Sequence, residues 1–286
     1  MSVKYNTISV NNINIFYREA GNKKNPTILL LHGFPSSSHM YRNLIPKLMD
    51  DYHVIAPDFP GFGNTDQPTM DAFDYTFDNL AHLVNQFIEK LNLEKFSIYV
   101  HDYGAPIGFR LATKHPERIQ AIITQNGNAY EEGLLSAWDP MRKYWENPTE
   151  ENKTPLKELL TASFTKHQYI NGTRNLNKIS PDTWKLDQSV LDRPGNEEIQ
   201  LALFYDYRNN LKQYPEWQAF FRNHQPPTLV AWGKNDMFFG PKGALAFQKD
   251  LKDCQVHLLN TGHFPLEEDL ETSASLIKQF LGERLK

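Results

Sequence analysis

Cysteine is nearly absent. Cys254 is the only one in the chain, which excludes an intrachain disulfide and any metal cluster built on several thiolates. Charge of one sign is also missing: the formal net charge is -4, with Lys and Arg scattered among Asp and Glu and no block of either. A nucleic-acid footprint or a membrane-surface patch is therefore not expected. Met1 to Ala20 alternates polar and apolar residues without an uninterrupted apolar run, so it reads neither as a signal peptide nor as a spanning helix. Repeats, low-complexity tracts and a phosphate-cradling glycine motif are absent, and so is the G-x-S-x-G of a serine hydrolase. These absences point to a globular, cytoplasmic protein whose partners are a small molecule and water. They leave oligomeric state open.

What is present is a regular alternation. Thr7 to Val10 and Ile13 to Arg18 flank Asn11 and Asn12, a pair suited to a tight hairpin. Short apolar runs follow at Thr27 to Leu31, His53 to Ala56, Phe96 to Val100 and Gln120 to Thr124, and two more at Thr228 to Trp232 and Gln255 to Leu259. Each is bounded by turn residues, as buried parallel strands are. Between them lie helical stretches such as Phe77 to Leu91, and the chain closes on one from about Glu271 to Leu281. Strand and helix in alternation predict an α/β fold with a mostly parallel central sheet flanked by helices. From Asn128 to Arg222 the pattern changes to helices rich in Trp and Tyr, broken at Asn-Pro, Ser-Pro and Arg-Pro-Gly. This predicts a core from residues 1–127 and 223–286 with an inserted helical cap over 128–222.

Three turns at strand ends carry the chemistry. In Tyr99-Val100-His101-Asp102-Tyr103-Gly104-Ala105 a strand stops abruptly before a helix expected over Ile107 to Thr113. A sharp turn there pushes one side chain above the sheet and needs a small residue two positions on, here Gly104. The exposed group is the Asp102 carboxylate, which can attack an sp³ carbon and form an alkyl ester that water then hydrolyses. Taken alone, Asp102 is equally a helix cap. Two further turns weigh against that reading: Gly233-Lys234-Asn235-Asp236 and Asn260-Thr261-Gly262-His263-Phe264-Pro265 place an acid and a histidine after successive strands. Ends of parallel strands converge where such folds bind ligands, and nucleophile, acid, histidine is the order of a catalytic triad on a strand-to-helix elbow. The turn His32-Gly33-Phe34-Pro35 adds backbone amides: those of Phe34 and Tyr103 suit an oxyanion hole. The loop Asp58 to Asp66, with Gly61 and Gly63, reads as structural.

With these motifs the chain resembles the α/β-hydrolase superfamily over nearly its whole length, and within it the branch of epoxide hydrolases and haloalkane dehalogenases, whose nucleophile is an Asp. The resemblance implies that Asp102 attacks, His263 activates water and Asp236 orients His263, with no metal or organic cofactor. Dehalogenases are similar to each other in an Asn after the first His-Gly and a Trp after the nucleophile; here those positions hold Phe34 and Tyr103. Epoxide hydrolases resemble this chain in His-Gly-Phe-Pro, and their cap tyrosines donate to the leaving oxygen. The segment Tyr205-Asp206-Tyr207-Arg208-Asn209 is similar to the one that carries such a donor, which nominates Tyr207. Tyr169, then Tyr144, is the expected partner by position. Val100, two residues before Asp102, points instead to dehalogenases, in which Trp138 or Trp145 would hold the halide. A non-catalytic small-molecule receptor of the same fold is the third reading.

Overall fold

The computed structural model describes residues 2–285. Eight strands form one sheet in the order β1-β2-β4-β3-β5-β6-β7-β8: β1 Lys4–Val10, β2 Ile13–Ala20, β3 Thr27–Leu31, β4 His53–Pro57, β5 Phe96–His101, β6 Ile119–Gln125, β7 Thr228–Gly233 and β8 Cys254–Leu259. The hairpin turn lies at Asn11 and Asn12, both at positive φ, the geometry that matches the twist of two strands joined by two residues. β2 pairs antiparallel with β4, and every pairing from β4 to β8 is parallel.

Every residue of β3, β4, β5 and β7 is buried. Alternate side chains supply two cores, one on each face: Leu29, Leu31, Ile98 and Val100 point to one, and Ile28, Leu30 and Tyr99 to the other. Helices cover both faces, among them Phe77–Lys90, Gly104–Lys114 and Leu270–Gly282. The expected helix at Ile107 begins instead at Gly104. Pro106 falls in its first turn, where no backbone N–H is needed for the ladder.

Between β6 and β7 the regular elements among the described residues are all helices, and Leu134 forms an isolated bridge to Phe239 beyond β7. This insertion lies over the carboxyl edge of the sheet through specific ties. Asn196 Nδ2 donates to the Gly61 carbonyl (2.8 Å), and the Phe77 N–H donates to Asp206 (2.8 Å). Asn235 Nδ2 donates to the Gly172 carbonyl (2.9 Å). Among the described residues no helix is long and apolar enough to cross a membrane.

Candidate active site

The elbow after β5 forces Asp102 to φ 46°, a left-handed conformation that Asp tolerates better than most residues. Two glycines make room for it. A Cβ on Gly33 would lie 2.3 Å from Asp102 Cβ, and one on Gly104 would lie 2.1 Å from the Leu31 carbonyl oxygen. The turn after β3 is fixed by His32, whose Nε2 accepts from the Phe59 N–H (3.0 Å) while Nδ1 donates to the Gly33 carbonyl (3.1 Å). Burial pushes this ring's pKa down to about 3, so it is neutral and supports geometry. The Phe34 N–H then donates to Asp102 Oδ1 at 2.7 Å, and the Tyr103 N–H also bonds the carboxylate.

The three nominated groups converge. His263 Nδ1 lies 2.8 Å from Asp236 Oδ2, and His263 Nε2 lies 3.9 Å from Asp102 Oδ2 with no hydrogen-bond partner of its own. Asp236 is held at both oxygens: Oδ1 accepts from the Phe238 N–H (2.8 Å) and Oδ2 from Asn126 Nδ2 (2.7 Å). Asn126, at the end of β6, also exchanges hydrogen bonds with Gly233. It was not singled out in the sequence, although a polar residue at a strand end is the same signal that marks Asp236.

Burial raises the Asp102 pKa to about 6, against the opposing pull of His263 and the two amides. For His263, burial disfavours the charged ring, but the charge and hydrogen bond of Asp236, with Asp102, outweigh it and raise its pKa. The pair therefore favours a carboxylate beside a protonated imidazole.

Asp102 opens onto a small cavity of about 20 Å³ between core and insertion, space for about one water. The core contributes Phe34, Asp102, Tyr103 and Phe238, and the insertion contributes Trp138, Met141, Leu159, Phe164, Gln168 and Phe204. The expected cap donors are placed differently. Tyr169 faces away: its ring stacks on Phe264 (4.0 Å, 6°) and its hydroxyl donates to Asp187, a carboxyl that burial pushes up to about 8. Its chain neighbour Gln168 faces the cavity instead. Tyr144 packs against Tyr205 (5.1 Å) outside the lining. Tyr207 is buried just behind the lining, against Trp138 (4.4 Å) and Tyr103 (6.0 Å), with its hydroxyl hydrogen-bonded to Tyr214. The tryptophans offer no free N–H, because Trp138 Nε1 donates to the Phe238 carbonyl (3.1 Å) and Trp145 Nε1 to the Phe204 carbonyl (2.7 Å).

Asp58 behaves as the structural residue its loop suggested. It accepts from the Ser38 and Asn64 amides (2.7 and 2.8 Å), and a Cβ on Gly63 would strike its carboxylate. No group of three or more His, Cys, Asp or Glu among the described residues is arranged to hold a metal.

This elbow, sheet order and helical insertion define a class, and comparison with known proteins agrees. The family model described as alpha/beta hydrolase fold matches residues 26–270, and the chain belongs to that family. It is 44% identical over 275 residues to an uncharacterized hydrolase of Saccharomyces cerevisiae, YNR064C, covering 95% of this chain and 94% of that one. Epoxide hydrolase 2 of Caenorhabditis elegans is 25% identical over 288 residues, 96% of this chain and 79% of that protein. A haloalkane dehalogenase of Mycobacterium marinum is 39% identical over 116 residues, 40% of this chain and 39% of that one. The chain is thus a hydrolase of the epoxide hydrolase and dehalogenase-like branch.

Proposed function

We propose that the protein is an epoxide hydrolase of the cytoplasm that works through an ester on Asp102 and turns small apolar epoxides into vicinal diols. The observation that carries this reading is the buried relay itself: a carboxylate at the cavity floor, a histidine nitrogen without a partner 3.9 Å away, and an acid at 2.8 Å behind that histidine. Asp102 attacks a ring carbon, the carbon–oxygen bond breaks, and the oxygen takes the electron pair and a proton. We assign that proton to Tyr207. The Tyr207 hydroxyl donates to that of Tyr214, which also accepts from Asn128 Nδ2 (3.1 Å), and the Tyr207 proton is free for the substrate once its side chain turns into the cavity.

Esterification removes the Asp102 charge, one of the groups that hold a proton on His263. The imidazolium can then give its proton to the Tyr207 phenolate left by ring opening, and becomes the neutral base that water activation requires. Water attacks the ester carbonyl and gives a proton to His263, the Phe34 and Tyr103 amides stabilise the oxyanion, and as the intermediate collapses the departing oxygen takes the proton of the new Asp102 carboxyl, leaving His263 protonated as at the start. The diol leaves and Asp102 is again a carboxylate.

Epoxide is favoured over halide because neither Phe34 nor Tyr103 has a side-chain N–H and both candidate tryptophans donate to carbonyls. The test is the intact mass of His263→Gln after incubation with 1,2-epoxybutane and, separately, 1-bromobutane. An adduct equal to the whole epoxide, mapped to Asp102, is expected. An alkyl adduct from the bromide alone would make the protein a dehalogenase. A folded variant that forms neither adduct would overturn the Asp102 mechanism and favour a receptor.

A further inference from the structure

The helix Ala162–Ile170 carries the cavity's unspent polar group. Gln168 is 1% exposed and lines the cavity, and its Nε2 has no hydrogen-bond partner. Leaving a buried amide N–H unpaired costs about 1–3 kcal/mol, so a group in this position is expected to meet a partner that the resting protein lacks. Asp102 is the only carboxylate among the lining residues; the rest of the lining is aromatic or aliphatic apart from the phenol of Tyr103. The helix is also held in place. Its end runs into Asn171 and Gly172, where a Cβ on Gly262 would lie 2.0 Å from the Asn171 carbonyl and Asn235 Nδ2 donates to Gly172 (2.9 Å). Gln168 is therefore locked to the two turns that carry Asp236 and His263, and its amide is preorganised toward the space above Asp102.

We propose that Gln168 is the second donor to the leaving oxygen, in the place where the epoxide hydrolase resemblance leads one to expect a tyrosine. This rests on the epoxide reading. An attacking carboxylate and a leaving oxygen lie on opposite sides of the reacting carbon, and Gln168 comes from the insertion while Asp102 comes from the core. The amide donates a hydrogen bond and keeps its proton. It orients the ring oxygen and stabilises charge as the carbon–oxygen bond breaks, while the oxygen draws its proton from Tyr207. Gln168 thus acts in ester formation, where oxygen departs, and not in ester hydrolysis, where that oxygen is already a hydroxyl.

Two variants, Gln168→Met and Gln168→Leu, remove the N–H at similar bulk, and thermal unfolding identifies which of them keeps the native fold. Ester formation is followed by quenched mass spectrometry with 1,2-epoxybutane in the His263→Gln background, and ester decay is followed in single turnovers with His263 intact. The expected result is a fall in ester formation on the order of 100-fold, comparable to loss of an oxyanion donor, with ester decay within threefold of the parent. Equal slowing of both steps would mark Gln168 as structural and overturn the proposal, as would an unchanged rate of ester formation in a folded variant. If the parent His263→Gln protein forms no adduct, the epoxide reading itself fails. An adduct in the parent with no Gln168 effect removes only the assignment of Gln168.

Discussion

At the scale of single residues the site is held at a cost, and Asp102 shows where. Its pKa rises from 3.8 to about 6 because burial penalises the charge more than His263 and two amides compensate. A carboxyl that binds its proton more tightly when folded favours the folded state below its unfolded pKa and loses that contribution as pH rises through the folded one. The window here is pH 4 to 6, and the shift corresponds to roughly 3 kcal/mol at most. Asp102→Asn keeps an oxygen for the Phe34 amide and removes the charge, so its melting temperature should exceed the parent's by several degrees at pH 8, with the gain vanishing near pH 4. A variant no more stable than the parent at pH 8 would contradict this account. The same titration governs chemistry with the opposite preference, since only the carboxylate is a nucleophile. Ester formation in the His263→Gln background should therefore decline as pH falls, with a midpoint above 6 because the histidine that lowers the Asp102 pKa is gone; a flat profile from pH 5 to 8 would show that Asp102 ionisation does not control it. One altered residue should thus make the protein more stable and inactive, the trade expected of a strained, desolvated site.

At the scale of elements, the site depends on strand ends being locked to each other, and Asn126 is the lock between β6 and β7. It sits at φ 52° and makes three hydrogen bonds, two to Gly233 and one to Asp236. Asn126→Gly keeps the backbone conformation and deletes all three. At about 1 kcal/mol net for each, it should lower stability in urea unfolding by about 2–4 kcal/mol, and loosening Asp236 should slow ester hydrolysis more than ester formation. Equal effects on the two steps would mean that Asn126 supports the fold without orienting His263. Elements were also the scale at which the sequence was most legible. The hairpin strands β1 and β2 were visible as alternation around Asn11 and Asn12 and the other six as short apolar runs closed by turn residues, and observed ends differ from expected ones by no more than three residues. Asp102, Asp236 and His263 were visible because strand-end turns convert position in the chain into position in space. The insertion offered no such conversion. Helix Ala162–Ile170 buries Thr165, Gln168 and Tyr169 against different neighbours, so it has no single apolar stripe from which to set its rotation. One residue is a rotation of about 100° on a helix, and that is the difference between Tyr169, turned to Phe264 and Asp187, and Gln168, turned to the cavity.

At the scale of the whole molecule, the cavity belongs to neither part of the chain alone. Four of its lining residues come from the core and six from the insertion, and Phe34 meets Phe204 edge-on across the seam at 5.2 Å. Its space of about 20 Å³ is too small for an organic epoxide, so entry requires the insertion to shift from the sheet edge or its side chains to turn. The walls that yield then set which substrates are accepted. Met141 is a suitable probe: it is buried, it lies in the helix Asp139–Glu146, and it lines the cavity without holding any of the groups assigned to chemistry. Met141→Ala removes a flexible apolar wall and should cost about 2–3 kcal/mol, the low end for such truncations because the space joins an existing cavity. The selectivity change is separable from that loss. The ratio of kcat/KM for 1,2-epoxyoctane to that for 1,2-epoxybutane should rise on the order of tenfold, within the range that a few methylenes command in an apolar pocket. A folded Met141→Ala protein with an unchanged ratio would mean that the alkyl chain lies elsewhere, and that the space above Asp102 admits only the reacting carbons.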